Sequence, residues 1–416
     1  MNERGGDRRV AITGRGVLSP LALDWERTWK AMNEGRVGVA RIGSFDTTGL
    51  DVQIGAEVDG FDPAGLLPRP LVRRTGRSLQ YGLVAADMAL RDADLVVDES
   101  NAPCLGVLAG SVVGPTEAVI DISDELRRHG PEGVSHYSFA MTGIVPLAGE
   151  IGMHVGARGP TATVATACAT GSTCLGEGAR MIREGRADIV LAGGMDAFSR
   201  FEIAVASRAG ALSRRNDQPE SASRPFDRDR DGFVMGSGAG MLVLESAEHA
   251  RGRGARVHAE LAGYGATADA HHLTAPRPDG EGVERALRTA LADAREDPHD
   301  VDYVNAHGTS TPLNDAAEAG VLRKVFGERG SEMPVSSTKS MTGHMLAAGG
   351  AVEAAVLTAA ITEGVVPPTV NCVDPGDSGL DLVPHQAREH RVEVAVSNSF
   401  GFGGHNAVLV LRRWRD

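Results

Sequence analysis

An α/β architecture, with parallel sheets covered by helices, is what this 416-residue chain predicts, and two observations carry that expectation. Short apolar runs of strand length alternate with longer stretches whose apolar residues recur at helical spacing. The 53 glycines are spread along the chain without a repeat, which marks tight turns and close backbone approaches rather than a fibrous or disordered protein. Aromatic residues make up only 4%, so the core rests on Val, Leu, Ile and Ala.

The strand-length runs are 10–12, 105–109, 189–192, 241–244, 303–305, 392–396 and 408–411. Helical periodicity covers 78–90, 175–183, 283–294 and 347–363. The Arg-, Asp-, Ser- and Pro-rich segment 212–232 reads as a long surface excursion. A composition shift at 250–255 (ARGRGA) is the best boundary, dividing the chain into halves at 1–254 and 255–416. Strand–helix alternation occurs in both halves, but the sequence alone does not demonstrate a duplication.

Composition narrows the function classes. A net charge of −13 argues against general attraction to nucleic acid or an anionic membrane. No apolar stretch reaches the roughly 18 residues of a spanning helix. The N-terminal MNERGGDRRV lacks the apolar run of a secretory signal. Cys104, Cys168, Cys174 and Cys372 have no zinc spacing and are too sparse to staple the chain, so a reduced, cytoplasmic setting is expected.

Cys168 follows the apolar run of VATACATG and precedes a predicted helix over 169–184. At that turn the helix dipole favours thiolate and is expected to lower the thiol pKa, and free N–H groups there can receive an oxyanion. Taken singly, a cysteine is as often a small core residue, which is the reading for Cys174. His307 in NAHGTST follows a strand, and His344 in KSMTGH lies between a short strand and an alanine-rich helix. One Cys and two His at strand-to-helix transitions form a constellation that suits acyl transfer with proton exchange or carbonyl hydrogen bonding. Lys339, among small polar residues, reads as buried beside a carboxylate, with Glu353 and Glu318 as candidate partners. Asp315 reads as an N-cap of the following helix. NSFGFGG places Phe400 and Phe402 among glycines, as in a loop that covers a pocket.

Other patterns fail. TGRGVLS lacks the third glycine of a dinucleotide site, and no GxxxxGK[ST] phosphate loop occurs. GSGAG has a glycine where a nucleophile elbow needs serine. His271 and His272 come without an HExxH pattern, so no metal site is expected.

TACATG around Cys168, NAHGTST around His307, KSMTGH around Lys339 and His344, and NSFGFGG together resemble the β-ketoacyl-acyl carrier protein synthases, over nearly the whole chain. The resemblance implies the thiolase fold, two similar α/β halves in five layers (α–β–α–β–α), and a dimer. It implies that Cys168 accepts an acyl chain as a thioester, and that His307 and His344 hold the malonyl-carrier carbonyl during loss of carbon dioxide. The backbone N–H groups of Cys168 and Phe402 would form the oxyanion hole. Phe402 would gate the site with Phe400 beside it, and Lys339 would support the His344 region, paired with Glu353. No metal or organic cofactor is implied, because the phosphopantetheine arm belongs to the acyl carrier protein.

Arg69, Arg73, Arg74 and Arg77 in PRPLVRRTGR, with Arg214 and Arg215, match regions that dock the acidic carrier in that family. Thr75-Gly76 departs from the more usual Met-Asp pair. SVVGPTEAV puts Val112 and Val113 where the acyl pocket usually has a glycine-rich run. Two pathways stay open, a type II polyketide ketosynthase and a fatty-acid elongation synthase, with the first preferred. A non-catalytic chain-length factor is disfavoured by the retained Cys168, His307 and His344. A thiolase is disfavoured because NSFGFGGHN contains no cysteine. The dimer partner is either a second copy or a chain-length-factor subunit.

Overall fold

The computed structural model describes residues 8–143 and 146–415; the N-terminal segment 1–7 lies outside them. Ten strands form the main sheet. They are β1 (Val10–Leu18), β2 (Leu105–Gly110), β3 (Thr161–Thr163), β4 (Ile189–Asp196), β5 (Gly238–Ser246), β6 (Ala259–Ala268), β7 (Tyr303–Asn305), β8 (Val335–Ser336), β9 (Val394–Gly401) and β10 (His405–Arg412). Their order is β3-β2-β4-β5-β1-β6-β10-β9-β7-β8. At the centre, β1 and β6 pair only through Ala11–Glu260 and Ile12–Ala259, so the sheet is two five-stranded halves joined at a short seam.

The halves repeat one another. Each has its own strands in the order third, second, fourth, fifth, first. In each, the third and fourth strands run parallel to the second. The fifth is antiparallel to both the fourth and the first. The sheets are therefore mixed rather than wholly parallel. In the second half the antiparallel step is a tight hairpin from β9 to β10, turned by Gly403 (φ 82°) and Gly404 (φ 75°).

Helices complete five layers. α1 (Arg77–Asp92) and α2 (Pro146–Val155) cover the first half, α4 (Glu281–Ala294) covers the second, and α5 (Pro312–Phe326) packs on α4. α3 (Thr170–Arg183) and α6 (Ala347–Glu363) lie between the two sheets. A helix enclosed on every side must be apolar on every side, and residues 347–361 of α6 are all buried. The two central helices approach backbone to backbone: a Cβ on Gly171 would lie 2.5 Å from the Ala347 carbonyl, and one on Gly350 would lie 2.3 Å from Ser172 Oγ.

The same close packing hides β6 from a sequence reading. AELAGYGATA has little strand character, because Gly263 and Gly265 must leave room for the carbonyls of Ala290 and Ala286 on α4. Segment 212–232 also differs from expectation, since Ser213, Ser223, Phe226 and Asp227 are buried. Asp227 accepts from the backbone of Asp229, Val373 and Asp374 and from Arg224 Nε, so the polar loop carries its own hydrogen-bond partners inward. No helix among the described residues is long and apolar enough to cross a membrane.

Candidate active site

The centre of the molecule brings together the start of α3, the end of β7, the turn before α6 and the β9–β10 hairpin. Cys168 sits one residue before the Ala169 N-cap of α3. Ala167 holds φ at 49°, a left-handed conformation costly for a residue with a Cβ and typical of functional turns. Thr170 Oγ1 fixes that turn by accepting from Thr166 N at 2.9 Å and donating to the Ala167 carbonyl at 2.7 Å. The Cys168 sulfur faces the backbone N–H of Phe402 and its own N–H.

His307 and His344 meet edge to face, with ring centroids 5.4 Å apart. His307 also packs on Phe400 at 5.4 Å, and His344 on Phe233 at 5.3 Å. The backbone N–H groups of His307 and Gly308 both donate to the Glu318 carboxylate at 2.8 Å, which Asn398 also reaches. Lys339 begins a short helix, Lys339–Thr342, and its Nζ lies 2.5 Å from Glu353 Oε1, with both side chains 3% exposed.

Two expectations for these supports change. Glu318 does not pair with Lys339; it is spent on the NAHG turn, leaving Glu353 as the Lys339 partner. Asp315 is not an N-cap. Thr311 holds that position, and Asp315 lies within the first turn of α5, accepting from the backbone of Thr309, Ser310 and Phe226. A carboxylate inside the helix start can reach back over the preceding loop as well as a cap would.

Electrostatics reverse the expectation for the thiol. Burial pushes Cys168 up to about 11, outweighing the Phe402 N–H and the positive charge of Lys339, which pull it down. The helix start therefore offers donors to the sulfur without making a resting thiolate. Burial, then the Lys339 charge, hold His307 and His344 well below the ordinary histidine range, and for His307 the neighbouring His344 adds to this. Both imidazoles are neutral near pH 7, so each carries one N–H that can donate. Burial likewise raises Glu318 to about 7 and Glu353 above its usual range, Lys339 opposing the latter.

Cys168, His307, His344, Phe400 and Phe402 line one cavity of about 480 Å³, together with Val112 and Val113. The paired Phe residues part company: Phe400 is buried against His307, while Phe402 is 43% exposed at the hairpin turn. Sequence reasoning missed the apolar wall of Phe201, Val205, Met235 and Leu346, and the polar side of Thr274, Thr309 and Thr311. Only the neighbourhood of Thr309 and Thr311 within NAHGTST gave a usable signal.

The arginines do not form one exposed set. Arg69 and Arg73 are exposed, whereas Arg74 is part-buried and bonds Glu150 of α2 at 2.8 Å. Arg74 therefore ties its helix, Arg69–Arg74, to α2. Arg77 lies over the Phe61 ring, Arg214 faces Asp51, and Arg215 faces Asp231.

The chain matches the beta-ketoacyl synthase N-terminal domain over residues 7–250 and the beta-ketoacyl synthase C-terminal domain over residues 258–373. It belongs to the β-ketoacyl synthase family. The synthase is 44% identical to the 3-oxoacyl-[acyl-carrier-protein] synthase 2 of Vibrio cholerae serotype O1, over 98% of this chain and 99% of that protein. It is thus a condensing enzyme of the acyltransferase type. Its structure is similar to the ishigamide ketosynthase/chain length factor, with a TM-score of 0.91 and 36% identity over 98% of the synthase and 100% of that chain. It is also similar to AntDE:AntF, a type II polyketide synthase acyl-carrier protein in complex with its ketosynthase bound to the hexaketide. That likeness has a TM-score of 0.90 and 33% identity, over 98% and 100% of the two chains. These neighbours share the thiolase fold, and the layered, duplicated sheet agrees with it.

Proposed function

We propose that the synthase catalyses decarboxylative condensation of a Cys168-bound acyl chain with malonyl-carrier, as the ketosynthase of a type II polyketide assembly. The Cys168 sulfur, set against two N–H donors beside two neutral imidazoles in one cavity, carries the reading. In the first step the thiol attacks the acyl-carrier thioester, and its proton leaves with the carrier thiol. In the second, His307 and His344 donate to the malonyl thioester oxygen. The carbon–carbon bond to the carboxylate breaks, carbon dioxide departs, and its electron pair enters the enolate. That carbanion attacks the Cys168 thioester, the N–H groups of Cys168 and Phe402 hold the oxyanion, and collapse expels the Cys168 sulfur as thiolate, which takes up a proton from water to restore the thiol. The chain's own residues supply every group used, and the phosphopantetheine arm arrives on the carrier.

The polyketide preference rests on Val112 and Val113, which narrow the wall where glycines would open it. Fatty-acid elongation is the second reading, favoured by the named relative. Intact-mass spectrometry after incubation with a panel of acyl-carriers tests both. Adducts on Cys168 from β-ketoacyl chains support the polyketide role, adducts from saturated chains alone support elongation, and no adduct removes the condensation reading.

We propose docking of the acidic carrier on the exposed Arg69 and Arg73, with Arg214 and Arg215 assisting despite their carboxylate neighbours. Arg73→Glu is expected to slow loading from carrier-bound acyl groups about tenfold, the scale of one charge-assisted contact, and to spare a small thioester. Equal slowing on both substrates removes the docking role. A dimer, with a second copy or a chain-length-factor subunit, is supported by the exposed edge strand β3 and by Phe139 and Met153, 93% and 67% exposed. A monomer in light scattering, alone and with such a subunit, counts against it.

A further inference from the structure

Asp196 ends β4 with no solvent exposure, and no part of the condensation chemistry uses it. Of the residues that donate to its carboxylate, Val112 and Val113 line the acyl cavity, and Ser111 and Ala347 each adjoin a lining residue in the chain. It accepts from Ser111 Oγ at 2.5 Å, Val112 N at 3.0 Å and Val113 N at 2.9 Å. Its other oxygen takes the Ala347 N–H at 2.9 Å, at the first turn of α6. Ser111 Oγ in turn accepts from Gly114 N at 2.7 Å, closing the loop.

The two elements joined in this way face the same space. Val112 and Val113 line the cavity on one side. Leu346, the residue before Ala347, lines it on another and is held at φ 49° and ψ −118°, a conformation that needs support from its surroundings. Gly194, two residues before Asp196, has the Ala347 carbonyl 2.1 Å from where a Cβ would be, so the end of β4 abuts the start of α6. A short, fully buried carboxylate with donors from both sides fixes their spacing more tightly than apolar contact would.

We infer that Asp196 is a positioning residue that sets the width of the acyl pocket by clamping the Ser111–Val113 loop to the start of α6. It touches neither substrate nor the reacting atoms. The inference rests on the condensation reading above, because it assigns a length limit to the chain that Cys168 carries. Burial raises Asp196 to about 6, opposed by its four donor groups, so near neutral pH it is ionised and accepts from all of them.

Asp196→Asn turns one acceptor into an NH₂ facing N–H donors, which parts the clamp with little change in volume. The measurement is the kcat/KM for Cys168 loading across a series of acyl-carrier chain lengths, beside the rate of malonyl-carrier decarboxylation. The ratio of long-chain to short-chain loading is expected to rise about tenfold, the scale of discrimination that one pocket contact provides. Decarboxylation, which depends on His307 and His344, is expected to stay within about twofold. Ser111→Ala, which removes one donor without stranding a charge, is expected to move the ratio the same way by about threefold. A uniform loss across chain lengths, or a shift toward short chains, overturns the inference. So does an Asp196→Asn protein that fails to fold while Ser111→Ala keeps the wild-type ratio. If the wild-type protein forms no adduct with any chain, the condensation reading falls first and this one with it; loading with an unmoved ratio removes this one alone.

Discussion

Replacing Cys168 by alanine is expected to abolish the covalent acyl adduct and lower condensation by more than about 10³-fold, the scale of losing a covalent nucleophile. The variant should fold, because alanine differs from cysteine by the loss of one sulfur atom and the turn is held by Thr170 rather than by that sulfur. Malonyl-carrier should still lose carbon dioxide, since the donors for that step sit on His307 and His344. Intact mass for the adduct, and release of labelled carbon dioxide for the second half-reaction, separate the two. An adduct that survives in Cys168→Ala would show that another group is the nucleophile. The raised thiol sharpens the expectation. With Cys168 near 11, thiolate is scarce at rest, so proton departure must accompany attack on the thioester.

How much of this was legible beforehand depended on what each residue answers to. The strands 105–109, 189–192 and 303–305 and the helices around Cys174 and over 347–363 were readable because burial on one or all sides writes apolar periodicity into the chain. β6 was not, because its glycines answer to the backbone of α4 rather than to strand propensity. Cys168, His307 and His344 were found from their places at strand ends, which is where an α/β sheet opens its ligand sites. Their protonation was not, because it is set by burial and by Lys339, and neither can be counted along a sequence. Glu318 and Asp315 show the same limit. Glu318 was one of two carboxylates offered to Lys339 and Asp315 was read as a cap, yet the NAHGTST turn had the consecutive backbone N–H groups of His307, Gly308, Thr309 and Ser310 to satisfy, and these two acids take all four. Phe201 and Val205 share one helix, Arg200–Arg208, while Met235 and Leu346 come from two other segments, and only the folded chain makes them one wall.

Lys339→Met is expected to cost about 3–5 kcal/mol, because it leaves Glu353 buried without its counter-charge, and a fall in melting temperature measures that loss. The double variant Lys339→Met/Glu353→Gln removes both charges and should recover most of the stability. The pH profile should not recover with it. Lys339 helps to hold His307 and His344 well below the ordinary range, so without it both folded values rise, although burial still keeps them low. The neutral imidazoles required near the enolate then persist over a narrower span: the acid limb of malonyl-carrier decarboxylation moves to higher pH in the single and the double variant alike. A histidine buried neutral must charge as pH falls, and weakening the electrostatic obstacle brings that event closer to neutrality. If the double variant regained both stability and the wild-type acid limb, Lys339 would be a structural ion only. If stability returns while the limb stays displaced, the buried pair has two separable effects: Glu353 makes the lysine tolerable in the core, and the lysine keeps two histidines uncharged beside the cysteine.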